Sequence, residues 1–266
     1  MPGVESRLTD PAAVVPMEQA AIQRYQRDHP VLTDERSRSE KAARILAVLR
    51  EIAGRDTQGL IGLDLGCGGG IIAARLAPHF RWMFACDLDP DGVRFARSKF
   101  PRPNLTYFVA DATEIPMADG SCDVVICTHV YEHVASAERL VAEIRRVLKH
   151  GGLCFFSGPN RLAPYEPHLH TFFLHWFPRW FTNAILRLIR RPQYEELPRG
   201  PWSLKRLLQI HGFEIRDVSE ELVRQPDRFH ATSEPGIQLA RFVPPFLLRP
   251  ILRLFIPSFN LLLTRK

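Results

Sequence analysis

Apolar positions along this chain recur with two different periods, and the switches between them mark out elements. Ala42, Ala43, Ile45, Leu46, Leu49 and Ile52 repeat at helical spacing, so a helix is expected over 34–53 with Gly54 as its stop. A shorter helical pattern covers 18–28, while 1–16 reads as irregular. From Leu60 the pattern becomes a short apolar run that ends in glycines, the mark of a buried strand and a tight turn. Ile71–Leu76 returns to helical spacing. The alternation then continues: strand Trp82–Cys86, helix Gly92–Phe100, strand Leu105–Ala110, strand Asp123–Thr128 and amphipathic helix Ser136–Leu148. Ser136 is placed to cap that last helix and Gly151-Gly152 to end it. Strand Leu153–Ser157, helix Leu204–His211 capped by Ser203, and strand Phe213–Val218 complete the readable elements. Strands alternating with helices predict an α/β fold around a doubly wound parallel sheet.

The chemistry concentrates at the first turn, Asp64-Leu65-Gly66-Cys67-Gly68-Gly69-Gly70. A strand–turn–helix unit of this kind is a common nucleotide cradle. The dinucleotide fingerprint G-x-G-x-x-G needs a final glycine, and counting from Gly66 that position is Ile71. Asp64 would repel a pyrophosphate but suits a cationic amine. A nucleoside with an amino-acid tail and a sulfonium fits both facts, its carboxylate lying toward the helix N-terminus after Gly70. Asp87 stands about 20 residues on, at a strand end, where an acid reaches ribose hydroxyls. Asp87 and Asp89 also read as helix-start acids, and the strand-end position favours Asp87 for the sugar.

The glycine turn, with Asp111-Ala112-Thr113-Glu114-Ile115-Pro116 and Ser121-Cys122-Asp123-Val124-Val125, resembles the class I S-adenosylmethionine-dependent methyltransferases in order and separation. The likeness is good over 60–159 and poor in the flanks. It implies a Rossmann-like, seven-stranded, mostly parallel sheet and S-adenosylmethionine as cofactor. It implies a cofactor set of Asp64, Gly66, Cys67, Gly68, Gly70, Asp87, Leu88, Asp111, Ala112 and Thr128. In that family the acid at Asp111 faces the adenine amino group and the following backbone N–H reaches a ring nitrogen. The helix over 34–53 would pack beside the cofactor. A seventh strand is implied but has no clear place in the pattern.

The 266 residues carry a formal net charge of +6, spread along the chain and without a nucleic-acid motif, so no nucleic-acid partner is expected. The five cysteines form no C-x-x-C pair and read as buried apolar residues of a reducing compartment. The N-terminus lacks a signal pattern, and no apolar run reaches the roughly 18 residues of a spanning helix. A cytoplasmic protein is expected.

Three divisions follow: a mobile segment 1–33, a cofactor-binding domain 34–232, and an apolar C-terminal extension 233–266. An insert over 158–202, rich in aromatics, far exceeds the usual connection of about 2–6 residues. Helical in pattern, it reads as a lid and acceptor site, or as an added layer that only packs. The extension carries Pro244, Pro245, Pro250 and Pro257 together with Arg249 and Arg253. That composition fits a bilayer interface better than a span; covering the sheet or a partner is the other reading. Stretches 172–191 and 242–263 are therefore the candidate membrane contacts.

Transfer of a methyl group to a hydroxyl requires a base. The candidates are His129 and His133, which flank Glu132 after the fourth strand, and His168 and His170 in the insert. A helix at 129–133 would align these groups as a metal face, but the single acid argues against a metal. The acceptor expected is small or amphiphilic, lipid-like or lipid-linked, methylated at O, N or C. The rival readings are a non-catalytic scaffold or membrane adaptor, a dinucleotide oxidoreductase and an RNA methyltransferase.

Overall fold

The computed structural model describes residues 24–166, 171–172, 176–188, 198–231, 244 and 256–266. Helix α1 (Glu35–Ala47) is capped by Asp34, whose side chain accepts hydrogen bonds from the Arg36 and Ser37 N–H groups. A π-helical turn, Val48–Ile52, extends it. In chain order there follow β1 (Ile61–Leu65), α2 (Ile71–Leu76), β2 (Trp82–Asp87), α3 (Pro90–Lys99), β3 (Leu105–Val109), β4 (Cys122–Thr128), α4 (Ala137–Val147) and β5 (Leu148–Pro159). A small hairpin, β6 (Tyr165–Glu166) and β7 (Thr171–Phe172), precedes α5 (Arg179–Leu188). The chain closes with α6 (Pro201–Ile210), β8 (Phe213–Asp217), α7 (Ser219–Arg224) and β9 (Ser258–Arg265).

The main sheet has seven strands in the order β3-β2-β1-β4-β5-β9-β8. Strands β1 to β5 pair parallel with one another, and β9 is antiparallel to both β5 and β8. Successive side chains in a strand point to opposite faces, and two hydrophobic layers result. Val124, Ile126, Leu153, Phe155 and Leu262 pack with Ile45 of α1, Leu49 of the π-helical turn and Val93 of α3. Val125, Cys127, Cys154, Phe156 and Leu263 pack with Leu140, Ile144 and Leu207 of α4 and α6. Leu63 and Leu65 belong to the second layer, so Asp64 between them turns toward α1.

The C-terminus is the main departure from expectation. Ser258–Arg265 is no extension: it supplies the seventh strand, wedged between β5 and β8. Phe259, Leu261, Leu262 and Leu263 are buried, which removes this part of 242–263 from any membrane surface. A domain ending at 232 therefore leaves out a strand of its own sheet.

Smaller corrections have local causes. Gly151-Gly152 does not follow a helix that reaches Leu148. Leu148 already pairs with Cys122, and the register shifts before Val124 pairs with Leu153. Gly151 takes φ 70° within this irregularity. Ser203 lies inside α6 and does not cap it. Gly200 is the N-cap and Pro201 occupies the first turn, where its fixed φ and missing N–H cost nothing. The roots of the insert lie side by side: Asn160 bridges to Arg199, and the Arg161 N–H donates to the Arg199 carbonyl at 3.2 Å.

Candidate active site

The carboxyl ends of β3, β2, β1 and β4 stand in a row, and each carries a residue singled out by the sequence. At β1 the turn is closed by the Gly70 N–H donating to the Cys67 carbonyl at 2.9 Å. The Cys67 N–H reaches across to the Cys86 carbonyl at 3.0 Å. Gly66 and Gly70 both have positive φ, and both lie where a side chain would collide. A Cβ on Gly66 would stand 2.5 Å from Val130 Cγ2, and one on Gly70 would meet Ala96 and Tyr107.

Asp87, at the tip of β2, points into this turn. Its Oδ2 accepts from the Gly68 N–H at 2.7 Å and its Oδ1 from the Asp89 N–H at 3.0 Å. Beside it Leu88 is 68% exposed. At β3, Asp111 is exposed, and its Oδ1 accepts from the Thr113 N–H and hydroxyl at 2.7 and 2.8 Å. Ala112 and Thr128 are buried.

Asp64 is buried beneath the turn, and its Oδ2 has no hydrogen-bond partner among the described residues. Burial pushes its carboxyl up to about 7, countered first by the nearby Arg38 guanidinium. An orphaned carboxylate oxygen in such a place is an open position for a cationic donor.

After β4 the backbone does not become helical, so 129–133 presents no helical metal face. His129 adopts φ 57°, and its N–H donates to the Ser157 carbonyl at 2.8 Å. Its Nδ1 lies 3.3 Å from Glu132 Oε1, while His133 Nε2 lies 3.9 Å from the same oxygen. His168 and His170 fall outside the described residues.

The chain has relatives among known proteins. A family model described as a methyltransferase domain matches residues 63–156. A ubiquinone biosynthesis O-methyltransferase from Methylococcus capsulatus is 35% identical over 192 residues, covering 69% of this chain and 76% of that protein. The chain belongs to the S-adenosylmethionine-dependent methyltransferase family. Another relative in this family, a "Probable S-adenosylmethionine-dependent methyltransferase" of Mycobacterium tuberculosis, is 39% identical over 101 residues, covering 38% of this chain. The chain spans just over a third, 36%, of that relative's length. Among solved structures, the S-adenosylmethionine-dependent methyltransferase from Mesorhizobium loti superposes with a TM-score of 0.54 at 17% identity, over 82% of this chain and 98% of that one. That likeness supports the methyltransferase fold.

The residues present fit the family's cofactor. Asp64 offers its unpartnered oxygen to an ammonium, Asp87 offers a carboxylate suited to a diol, and exposed Leu88 offers an apolar surface to a flat base. Three contributors escaped the sequence reading, all from the N-terminal side. Arg38, at the start of α1, interacts with Asp64, and burial lowers its pKa from the ordinary guanidinium value. Leu32 lies over the turn, its Cδ2 3.4 Å from where a Gly68 Cβ would stand. Tyr25 is buried with its ring 5.0 Å from Phe95, and its hydroxyl pKa is raised by burial and then by Asp89 and Asp87. No pattern of spacing links any of these to a glycine turn some thirty to forty residues later.

Proposed function

We propose that this chain transfers the methyl group of S-adenosylmethionine to a small or amphiphilic acceptor. The observation that carries the reading is the buried, unpartnered Asp64 Oδ2 under a turn that Asp87 braces from the next strand. The cofactor supplies an activated, electron-poor methyl group. The chain's own part is to position the acceptor and exclude water, the larger share of catalysis where the donor is already reactive. Asp64 and Arg38 would orient the amino-acid end, Asp87 the sugar, and Asp111 with Ala112 the base. The Methylococcus relative, a ubiquinone biosynthesis O-methyltransferase, supports an amphiphilic acceptor. Titration calorimetry with S-adenosylmethionine tests the reading: the parent chain binds, and Gly68→Val and Asp87→Ala variants lose binding. Unchanged binding in both variants would place the cofactor elsewhere.

A second reading concerns location: the chain meets a membrane surface through the described part of 172–191. Trp176, Phe177, Trp180 and Leu188 are exposed around α5, Trp180 by 73% and Leu188 by 84%. Aromatic side chains of this kind favour the headgroup boundary. No helix among the described residues is long and apolar enough to cross a membrane. Co-sedimentation with anionic liposomes tests this, and a Trp180→Ser, Leu188→Ser variant should stay in the supernatant. If the parent chain also stays there, the reading fails.

A further inference from the structure

We propose that Arg146 and Glu143 of α4 position the strand tip that reads the cofactor's base, and so set the preference for adenine. The inference rests on the methyltransferase reading, because it takes Asp111 and Ala112 to face that base.

The need for a brace follows from where these groups stand. Asp111 follows β3, which is an edge strand of the sheet and pairs with β2 alone. The connection from there to β4, residues 110–121, contains no helix, although parallel strands are usually joined through one. A tip at a sheet edge, continued by irregular chain, has little of its own to hold it. Local ties act on it first. The Ala110 N–H donates to the Asp87 carbonyl at 3.0 Å, and the Glu114 N–H to the Asp111 carbonyl at 3.0 Å. Thr113 orients the Asp111 side chain, its N–H and hydroxyl both donating to Oδ1. Oδ2 is then the oxygen presented to a ligand amino group.

The brace comes from α4. The Arg146 guanidinium donates to the Ile115 carbonyl at 2.8 Å, to the Met117 carbonyl at 2.7 Å and to Asp119 Oδ1 at 2.7 Å. Glu143 Oε2 accepts from the Ile115 N–H at 2.7 Å, so Ile115 is held at both of its backbone groups. The Gly120 N–H donates to the Arg146 carbonyl at 2.9 Å. The held stretch therefore runs from Ile115 to Gly120. It starts directly after Glu114, whose N–H closes the Asp111 turn.

The two side chains also fix one another. Arg146 Nε donates to Glu143 Oε1 at 2.7 Å, and Nη2 to Oε2 at 2.8 Å. Such a parallel pairing of guanidinium and carboxylate is the strong form of a charged hydrogen bond. It holds the Glu143 carboxyl below its usual range, so the pair stays charged at neutral pH. A lysine carries a point charge without the planar fork and cannot make the same set of contacts.

Adenine and hypoxanthine differ where this tip acts. Adenine offers an amino group to a carboxylate, whereas hypoxanthine offers a carbonyl oxygen, which a carboxylate repels. A displaced Asp111 no longer tells them apart, while Asp64 on β1 and Asp87 on β2 still hold the amino-acid end and the sugar. Arg146 and Glu143 act through Asp111 and are positioning residues.

The test is calorimetry of the full chain with S-adenosylhomocysteine and with S-inosylhomocysteine, together with a urea midpoint for every variant. The parent chain should favour the adenine ligand by about 10- to 100-fold, the effect of one hydrogen bond to a charged group. Asp111→Ala should abolish that preference. Arg146→Lys and Glu143→Gln should each lower it at least about threefold. Adding Arg146→Lys to Asp111→Ala should change the ratio no further, as expected of residues that act through one group. Leu263→Ala, destabilised on β9, should keep the parent ratio, which separates positioning from a general loss of stability. Glu143→Gln is the milder change and decides alone if Arg146→Lys does not fold. An unchanged ratio in Arg146→Lys and Glu143→Gln, an equal fall in Leu263→Ala, or a parent chain without preference would overturn the inference. Failure of S-adenosylhomocysteine to bind the parent chain would instead overturn the methyltransferase reading beneath it.

Discussion

The Asp87 carboxylate accepts a 2.7 Å hydrogen bond from the Gly68 backbone N–H. This bond ties the tip of β2 to the turn after β1 and aims a charged oxygen at the floor of the site. The same carboxylate also holds the Asp89 N–H, so it fixes the entry to α3. Replacing it with alanine removes both internal hydrogen bonds and the acceptor offered to the ribose. Loss of one cofactor hydrogen bond to a charged acceptor, about 1.5–3 kcal/mol, should lower cofactor affinity by about 10- to 100-fold, measured by calorimetry. Asp87→Asn should fall less.

Asp64 gives a pH dependence with a definite sign. Burial pushes its carboxyl up to about 7 in the folded chain, against about 3.9 for an ordinary aspartate. Between those values the folded chain holds a proton that the unfolded chain has released, so stability falls as pH rises. The Asp64 contribution is fully present below about pH 4 and is lost as pH rises through about 7. Urea midpoints across this range should slope downward in the parent chain and flatten in Asp64→Asn. Binding of a cationic amine runs the other way. It needs the carboxylate, so affinity should strengthen as pH rises through about 7, with uptake of the ligand releasing protons to the buffer.

Gly70 is fixed by crowding as well as by its φ of 76°. Gly70→Ala drives a Cβ into Ala96 and Tyr107, and overpacking of this kind costs about 1–3 kcal/mol. Gly59→Ala is the matched control, since nothing lies within 4 Å of the added carbon. It should stay within about 0.5 kcal/mol of the parent. Urea unfolding of the two variants checks both values.

The C-terminal strand should be indispensable. Leu263 is fully buried, and β9 pairs with strands on both sides. Leu263→Ala should cost about 2–5 kcal/mol. Removing 258–266 would bare the edges of β5 and β8 together, and the shortened chain should lose cooperative unfolding or precipitate. A truncated chain that unfolds at the parent's urea concentration would contradict this strand order.

The first five strands were legible because their signals are local. Each is a short apolar run, β1, β2 and β3 with a glycine or an acid just at or after the end, and the Asp64–Gly70 turn carries its chemistry in adjacent residues. Strand β9 was not legible for the opposite reason. Its partners β5 and β8 lie far back in the chain, and Leu261-Leu262-Leu263 has no alternation because both faces are covered. A run of that kind reads equally as a membrane contact. The Arg38–Asp64 proximity escaped because the two residues come from different elements and only the packed α1 brings them together. Glu132 and His129 were both visible as residue types. Their pairing depends on a left-handed backbone at His129, which a linear pattern does not display.

The most direct test of the central claim is a crystal structure of the chain with S-adenosylhomocysteine. The ligand ammonium should stand within hydrogen-bond distance of Asp64 Oδ2, with its ribose hydroxyls on Asp87. A ligand bound away from the Gly66–Gly70 turn, or one that leaves Asp64 Oδ2 without a partner, would contradict the account.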